Sequence, residues 1–477
     1  MPRPGVTIIN RESPPSSGPP IQTGTAFMVG ESERGAVGSA VHVQSMADVD
    51  RLLGSRQSYS YLWDSLDVFF REGGGSAWVS RVGSAAATSA TVDLETGGSP
   101  KKPTVTVTAN AEGPWANDYT VDVAVAAGVI TVTVSDADGN VVDTHGGATK
   151  ADLIAYTGWQ NVILTDADPT AEDPAPVTGA TLEGGDDDRG GIVDADWATA
   201  LAVFQNGLGP GQVLAPGRSD AAVQSALTQH AADHNRVALL DVPLTTDYGS
   251  IKNVGTTARA AGNTDYAAIF APWVTVPGVV PNTVRTVPYS AAQAGLEARR
   301  DRISDPNVNI AAAGMDWPFA YVIGFTFDFT DADRWDLIQA GVNTGKMVYG
   351  SPETYGYRAV STNPNWVQFN WARLRMALTA HGQVVGESYV FDQIDGQGLK
   401  AGEFASGIAG MLTDFYLAGA LYGSSVAEAF RVDAGPSVNT PMTIANGELH
   451  AVAAVRMSPH AEEVVIEFVK TPITQAV

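Results

Sequence analysis

Hydrophobic positions along the first part of the chain follow both strand and helix periods. The stretch TAFMVGESERGAVGSAVHV is typical of a buried strand with a glycine-punctuated loop, and Ser45 is placed to cap a helix in SMADVDRLLG. Apolar residues recur at helical spacing in YSYLWDSLDVFF, three glycines follow at 73–75, and Trp78 and Val79 continue as a strand. This strand–helix–helix–strand order predicts an α/β unit.

From residue 91 the pattern changes to strict alternation. PTVTVTA, YTVDVAV, VITVTVS and NVVDT predict strands, and Asp138-Gly139 predicts the bend of a hairpin. Afterwards the α/β pattern resumes, with a helix over 197–204, a strand over 212–215 and a buried strand in VALLDVP. The β-rich segment is therefore interpreted as an insertion.

The C-terminal part carries two long helices and then strands. WVQFNWARLRMALTAHGQ and LKAGEFASGIAGMLTDFYLAGALYG predict the helices, and AEAFRVDAG and GELHAVAAVRM predict strands. The final segment EEVVIEFVK predicts a terminal strand. Its alternating positions are Val464, Ile466 and Phe468 on one side and Val465, Glu467 and Val469 on the other.

The chain also begins with a short predicted strand. Its residues are Val6, Thr7, Ile8 and Ile9. The Pro/Ser/Gly run over 13–20 cannot return as a hairpin partner, because proline lacks a backbone N–H. This strand is frayed, belongs to a distant sheet, or is given to another molecule.

These patterns divide the chain into six parts. The predicted parts are an N-terminal arm 1–20, a first core segment 21–90, an inserted β-rich domain 91–185, a second core segment 186–348, a C-terminal domain 349–463 and a C-terminal arm 464–477.

The charge balance argues against polyanionic partners. There are 28 Lys and Arg against 52 Asp and Glu, for a formal net charge of −24. A nucleic-acid or anionic-membrane binder needs a basic face, so neither direct nucleic-acid binding nor direct membrane insertion is expected. With no cysteine, disulfides and thiolate chemistry are excluded.

Candidate metal and catalytic motifs are weak. DADGNVVD lacks the glycine and the glutamate that a calcium loop requires, GGDDDRGG is interpreted as a solvated loop, and HAADH lacks the glutamate of a zinc protease. No nucleophile elbow or P-loop occurs, and Asp241, at the end of VALLD, is expected to fix a loop or cap a helix. No catalytic residue, metal or cofactor is predicted.

Several segments in this order resemble the contractile tail sheath proteins of bacteriophages, a family shared with contractile injection devices. They are PGV with TGTAFMVGESERG, FFREGGGSAWVSRV, ANAEGPWANDYTVDV, LEGGDDD, VLAPG, VALLDVP, WARLRMALTAHGQ, LAGALYGSSVAEAFRVDAG and SPHAEEVVIEFVK.

The resemblance implies a multidomain α/β fold: a subtilisin-like core without a catalytic triad, an inserted β-rich domain, and an α+β C-terminal domain with extended terminal arms. It implies a non-enzymatic subunit of stacked hexameric rings in a helical sheath around a tail tube, with baseplate and tail terminator proteins as further partners. The sheath would be assembled in the host cytoplasm, belong to the virion tail, and contract to drive the tube through the host envelope during genome delivery.

Two sets of residues would act in such an assembly. The arm strands, 6–9 and 464–469, match segments that join neighbouring subunits. By hypothesis, Arg373, Arg375 and Lys400 contact an acidic tube surface. Two other functions stay open: a virion surface or adhesin protein that binds a ligand through its β-rich domain, and a subtilisin-like hydrolase, for which no Ser/His/Asp set is found.

Overall fold

The computed structural model describes residues 21–303 and 309–468. Within them the strands, in chain order, are β1 Ala26–Gly30, β2 Ala40–Val43, β3 Ala77–Arg81, β4 Thr91–Glu95, β5 Pro103–Ala109, β6 Thr120–Ala126, β7 Val129–Ser135, β8 Val141–Gly147, β9 Val162–Asp166, β10 Val177–Thr181, β11 Gln212–Leu214, β12 Val237–Asp241, β13 Ala267–Ala271, β14 Val274–Pro277, β15 Val284–Val287, β16 Gly324–Phe325, β17 Val342–Val348, β18 Ser351–Tyr355, β19 Phe430–Asp433 and β20 Val452–Val455.

The helices of the same residues are α1 Met46–Leu53, α2 Leu62–Glu72, α3 Lys150–Ala155, α4 Asp194–Ala202, α5 Ala221–Asp233, α6 Tyr248–Arg259, α7 Tyr289–Ile303, α8 Asp331–Gln339, α9 Phe369–Glu387, α10 Leu399–Leu417, α11 Val426–Ala429 and α12 Pro441–Ala445. Short 3-10 turns lie at Pro114–Ala116, Arg189–Gly191, Asn206–Leu208 and Thr264–Tyr266. None of the described helices is long and apolar enough to cross a bilayer.

An eight-stranded sheet forms the centre of the molecule. Its order is β18-β17-β13-β12-β11-β1-β3-β2, with parallel pairing in the middle and antiparallel strands β18 and β2 at the edges. Successive side chains of a strand point to opposite faces, and both faces are buried here. Ala26 and Met28 lie in one core with α1, α2, α7 and α9, whereas Phe27 and Val29 lie in a second core with α4, α5, α6 and α8.

The first helices begin and end where their sequences indicate. The Ser45 side chain accepts a hydrogen bond from the Asp48 backbone N–H at the start of α1. Helix α2 ends at Gly73, which is left-handed with φ 115° and donates its N–H to the carbonyls of Phe69 and Phe70. Both predictions are confirmed.

The β-rich segment builds a core of its own. The sheets β10-β6-β7-β8 and β4-β5-β9 enclose a separate group of buried side chains, among them Val107, Val121 and Val132. The chain enters and leaves this unit side by side, since Thr88 and Asp186 exchange backbone hydrogen bonds of 2.7 and 3.0 Å. This paired neck supports the predicted insertion, although the six-part division itself stays a prediction.

The hairpin expected at DADGN is present. Strands β7 and β8 pair antiparallel, and the Asp136 carboxylate accepts hydrogen bonds from the N–H groups of Asp138 and Asn140 in the turn between them. The carboxylate oxygens that suggested a calcium loop therefore stabilise a tight turn.

The C-terminal unit is built around helices α9 and α10. Phe369 and Met376 of α9 pack into the main core, whereas Leu374 and Ala377 of the same helix pack with Leu412 of α10 and with the two-stranded sheet β19-β20. Helix α9 is therefore shared between the two cores and connects them.

Close packing of α2 against α7 leads to a stability prediction. A Cβ atom at Gly295, in the middle of α7, would lie 2.5 Å from the Glu72 Cβ and 2.6 Å from the Phe69 carbonyl oxygen. We expect Gly295→Ala to lower the free energy of unfolding by about 1–3 kcal/mol, because the two helices must move apart. Urea unfolding followed by tryptophan fluorescence measures this change.

Gly410 provides the matched control. It lies inside α10, and a Cβ there would meet nothing within 4 Å. Gly410→Ala should therefore raise stability by up to about 1 kcal/mol through helix propensity alone. Equal effects of the two substitutions would contradict the close-packing explanation.

Candidate functional site

Charged and aromatic side chains pack beyond the carboxyl ends of β1 and β3. The strand order reverses between β1 and β11, and ligands of open α/β sheets bind beyond the carboxyl ends of such strands. Here the Arg189 guanidinium lies 3.4 Å from the centre of the Tyr59 ring and pairs with Asp187 at 2.8 Å. The cavity left beside Glu31 and Arg81 measures about 10 Å³, which is room for about one water molecule.

Asp241, at the end of β12, has the structural role that the sequence predicts. Its carboxylate accepts hydrogen bonds from the Ser290 N–H (2.8 Å) and hydroxyl (2.6 Å) and from the Gly217 N–H (3.0 Å). Complete burial raises the pKa of Asp241 to about 6, although these hydrogen bonds favour the charged form. The side chain joins the start of α7 to the loop after β11, so its function is to fix a loop.

The two histidines of HAADH also make structural contacts. His230 is buried and its ring nitrogen lies 2.7 Å from an Arg236 nitrogen, while His234 contacts Asn206. Burial, together with the Arg236 charge, lowers the pKa of His230 to about 3. Among the described residues there is no group of three or more histidine, aspartate or glutamate side chains placed to hold a metal ion.

The sheet β19-β20 is small and partly open to solvent. Among the described residues it has two strands, with Phe430 opposite Val455 and Asp433 opposite Val452. One side packs on α10, and Val452, Ala453 and Ala454 of β20 are exposed. An edge strand with exposed small apolar residues can accept a further strand through its unpaired backbone groups.

The C-terminal segment follows β20 and runs along the start of α9. It is held as far as Glu462, whose carboxylate pairs with Arg358 at 2.9 and 3.0 Å. Burial alone would raise the pKa of Glu462, but hydrogen bonds from His460 and Arg358 lower it to about 2. The segment is therefore anchored to the core by an ion pair that stays charged over the neutral pH range.

Beyond this anchor lies a row of exposed apolar side chains. Val464, Val465, Ile466 and Phe468 are each between 69% and 91% exposed, and residues 463–468 belong to no strand within their own chain. A row of this kind is unfavourable in water, so it is a candidate interaction segment. The other predicted arm residues, Val6, Thr7, Ile8, Ile9 and Val469, lie outside the described residues.

The three cations predicted to contact a tube have different environments. Arg373 is fully buried, so its assignment to a tube-facing surface is wrong. Arg375 is partly buried, pairs with Asp265 at 2.7 Å and lies over the Tyr266 and Trp366 rings. Lys400 is partly exposed and binds Asp392 at 3.2 Å and Glu403 at 2.9 Å. The structure does not bring the three together as a basic patch.

Arg373 instead belongs to a buried ionic cluster that the sequence analysis missed. Its guanidinium contacts the carboxylates of Glu297 (3.1 Å) and Asp301 on α7. The hydroxyl of Tyr357 donates to Glu297 at 2.8 Å and that of Thr23 donates to Asp301 at 2.8 Å. Burial opposes the charge of Arg373, but the nearby anionic groups outweigh it and hold its pKa well above the ordinary value. The sequence carries one signal of this cluster. Polar residues recur every four positions at Gln293, Glu297 and Asp301, which places them on one face of a helix.

Comparison with known proteins gives a consistent result at the level of fold. No family model and no curated protein matches the chain. A sheath tail protein from Listeria innocua is 15% identical, with 91% of this chain and 95% of that chain covered and a TM-score of 0.66. A sheath tail protein from Desulfitobacterium hafniense is also 15% identical, covering 90% and 93%, with a TM-score of 0.59.

Assembled particles contain similar chains. The helical sheath of the anti-feeding prophage in its contracted state is 16% identical, with 99% of this chain and 100% of that chain covered and a TM-score of 0.58. The likeness thus extends over nearly the whole length of each chain, insertion and C-terminal unit included. The resemblance read from the sequence is confirmed for the fold, and the chain has the fold of the contractile tail sheath proteins.

Proposed function

We propose that this chain is a structural subunit of a contractile sheath that polymerises around a tail tube and contracts to drive the tube through a host envelope. The observation that carries the proposal is the exposed apolar row at 464–468, which has no strand partner among residues 21–303 and 309–468. The fold, which this chain shares with sheath proteins, is a second support.

Subunits would be joined by exchange of strands. The row at 464–468 of one subunit, and the N-terminal strand at 6–9, would each pair with an open edge of the sheet β19-β20 in a neighbour. About five ladder hydrogen bonds at roughly 1 kcal/mol net each make a modest individual link, which the entropy of ordering the arm reduces. Repeated around rings and along a stack, such links form a continuous mesh.

Contraction in this scheme is driven by differences in interface energy. Subunits assemble on the tube in an extended lattice and later relax to a lattice that buries more surface, so no cofactor or catalytic centre is needed. The Pro/Ser/Gly run over 13–20 would let each body rotate while its strand stays bound.

The proposed assembly consists of stacked hexameric rings, with tube, baseplate and tail terminator proteins as partners, assembled in the host cytoplasm and carried in the virion. The core would be of the subtilisin-like type used as a scaffold. An open parallel sheet with helices on both faces supports that finer assignment.

Electron microscopy of the purified chain tests this function. We expect the full-length protein to form hollow tubes or ring stacks, alone or on added tail tubes, and a variant lacking residues 1–17 to stay dispersed. The truncated chain should keep the circular dichroism spectrum and unfolding midpoint of the full-length chain, because residues 21–303 and 309–468 supply the described cores.

Two results would contradict the proposal. If the full-length chain remains monomeric even with tail tubes present, the sheath function fails. If both forms assemble equally well, the sheath function stands and the N-terminal strand is not the link.

A further inference from the structure

A large groove opens beside β18, the edge strand of the central sheet. It measures about 710 Å³, which is within the range of about 300–1,000 Å³ typical of ligand pockets. Its walls come from the end of β18, from helix α8, from residues 309–317 and from residues 458–462 of the C-terminal segment. The large apolar side chains in this lining are Ile310, Trp317, Trp335, Ile338 and Tyr355.

Much of this apolar lining is open to solvent. Trp335 is 61% exposed, Tyr355 is 46% exposed and Ile310 is 44% exposed. Helix α8 packs on the sheet through other residues, such as the fully buried Leu337, so Trp335 is not needed to hold the helix in place. Neighbouring exposed apolar side chains of this kind mark an interaction site.

The same chain supplies an apolar segment beside the groove. Glu462 lines the groove, and the exposed row at 464–468 begins only two residues later. An extended chain spans at most about 3.6 Å per residue, so Ile466 lies within about 15 Å of Glu462. The row is therefore tethered within reach of the groove while the pair of Glu462 with Arg358 stays intact.

The alternation of the row suits a groove with apolar walls. Successive side chains of an extended segment point to opposite sides, so Val464, Ile466 and Phe468 share one side. These three side chains are 77%, 69% and 91% exposed. Glu467 belongs to the other side, together with Val465. The segment can therefore turn its apolar side into the groove and keep the Glu467 carboxylate in water.

The tether favours the segment of the same chain over that of a second copy. A segment joined to its site by a few residues meets it at an effective concentration on the order of millimolar, far above that of free subunits. Residues 458–462 form one wall of the groove and lead directly into the row, so entry requires only a turn after Glu462.

We propose that this groove is a docking site for residues 464–468 of the same chain, which occupy it before the subunit assembles. The structure shows the undocked state. In the docked state the side of the row that carries Ile466 packs against Trp335 and Tyr355, and the strand is withheld from neighbours. The consequence for assembly rests on the proposed function. If the row is free in only a fraction of subunits, its dissociation constant for a neighbour rises by the inverse of that fraction, so docking is autoinhibitory.

Disulfide trapping tests the docked state, because the chain has no cysteine of its own. Full-length variants carry Trp335→Cys together with either Ile466→Cys or Phe468→Cys, and are oxidised as dispersed subunits at low concentration. We expect at least one of these pairs to close within the chain roughly tenfold faster than control pairs that join Tyr349→Cys to the same positions. Tyr349 is 94% exposed, lies in the turn between β17 and β18, and is outside the groove lining.

A second pair of variants measures the consequence for assembly. Trp335→Ser removes an exposed side chain from the groove wall, so it should release the row and lower the protein concentration at which tubes form by about threefold or more. Tyr349→Ser removes an exposed aromatic side chain outside the groove and should leave this concentration unchanged. Both variants should keep the circular dichroism spectrum of the unchanged chain.

The outcomes separate this inference from the sheath function. Trp335 pairs that close no faster than the Tyr349 pairs overturn the docking site. Disulfides that form between chains, at a rate that rises with protein concentration, would identify the occupant as a second copy and likewise overturn it. Both results come from dispersed subunits and leave the sheath function intact. An unchanged assembly concentration for Trp335→Ser overturns the autoinhibitory role. Trp335 pairs that close within a chain that never forms tubes support the docking site and contradict the sheath function.

Discussion

Arg373→Met is expected to lower the free energy of unfolding by about 3–5 kcal/mol. The substitution keeps much of the side-chain volume but removes the cation that faces Glu297 and Asp301, both of which are buried. Burying an unpaired carboxylate in the interior costs free energy, and the variant would bury two of them, Glu297 and Asp301, next to each other. Urea unfolding at pH 7.5, followed by near-UV circular dichroism, measures the loss.

The pH dependence distinguishes lost charge from lost packing. Burial raises the pKa of Glu297, and Arg373 opposes that rise in the unchanged protein. Without Arg373 the folded-state pKa rises further, so the folded state binds a proton more readily than the unfolded state does. Lower pH then favours the folded variant, and its deficit should be smaller at pH 5 than at pH 8.

Arg375→Met is the matched control on the same helix. Arg375 is partly exposed, its pair with Asp265 is screened by water, and its guanidinium lies over the Tyr266 and Trp366 rings, so the expected loss is about 1–2 kcal/mol. A loss for Arg373→Met that is no larger than this, or that does not change between pH 5 and pH 8, would contradict the assigned role of the buried cluster.

The elements that the sequence predicted best are those with a clear local signal. Strand β12 is a continuous apolar run, α1 begins at a serine cap, and the hairpin at DADGN has its aspartate and glycine in the expected turn. In each case a local signal agrees with the environment that the fold provides.

Helix α7 shows why the prediction was incomplete elsewhere. It spans Tyr289–Ile303 and is buried around nearly its whole circumference, so its sequence has no polar face to give a helical period. In the sequence its charged residues are typical of a solvated surface, but in the structure they contact α9. Arg373 was assigned to the outside for the same reason, because its partners on α7 are more than seventy residues away in sequence.

The sequence predicted what type of element the interaction segment at 464–468 is, but not where in the fold it is anchored. Alternation in EEVVIEFVK indicated a strand, and the resemblance to sheath proteins implied that this strand joins a neighbouring subunit.

Ala453→Pro is expected to suppress sheath assembly while leaving the subunit folded. The Arg456 N–H donates to the Ala429 carbonyl at 2.8 Å. Because the direction of N–H groups alternates along a strand, the Ala454 N–H also faces β19, whereas the N–H groups of Ala453 and Val455 face outward. Proline at 453 therefore removes a donor from the open edge and none from the existing pair.

Ala453→Val is the control, since valine keeps the N–H and favours a strand. Both variants should unfold at the same urea concentration, but sedimentation and electron microscopy should show tubes for Ala453→Val and dispersed subunits for Ala453→Pro. The effect on the lattice exceeds one hydrogen bond, because the proline ring also occupies the space of the incoming backbone and every subunit of the mesh carries the same blocked edge. Normal tubes from Ala453→Pro would show that the outer edge of β20 is not where a neighbour's strand adds, and would leave the outer edge of β19 as the acceptor.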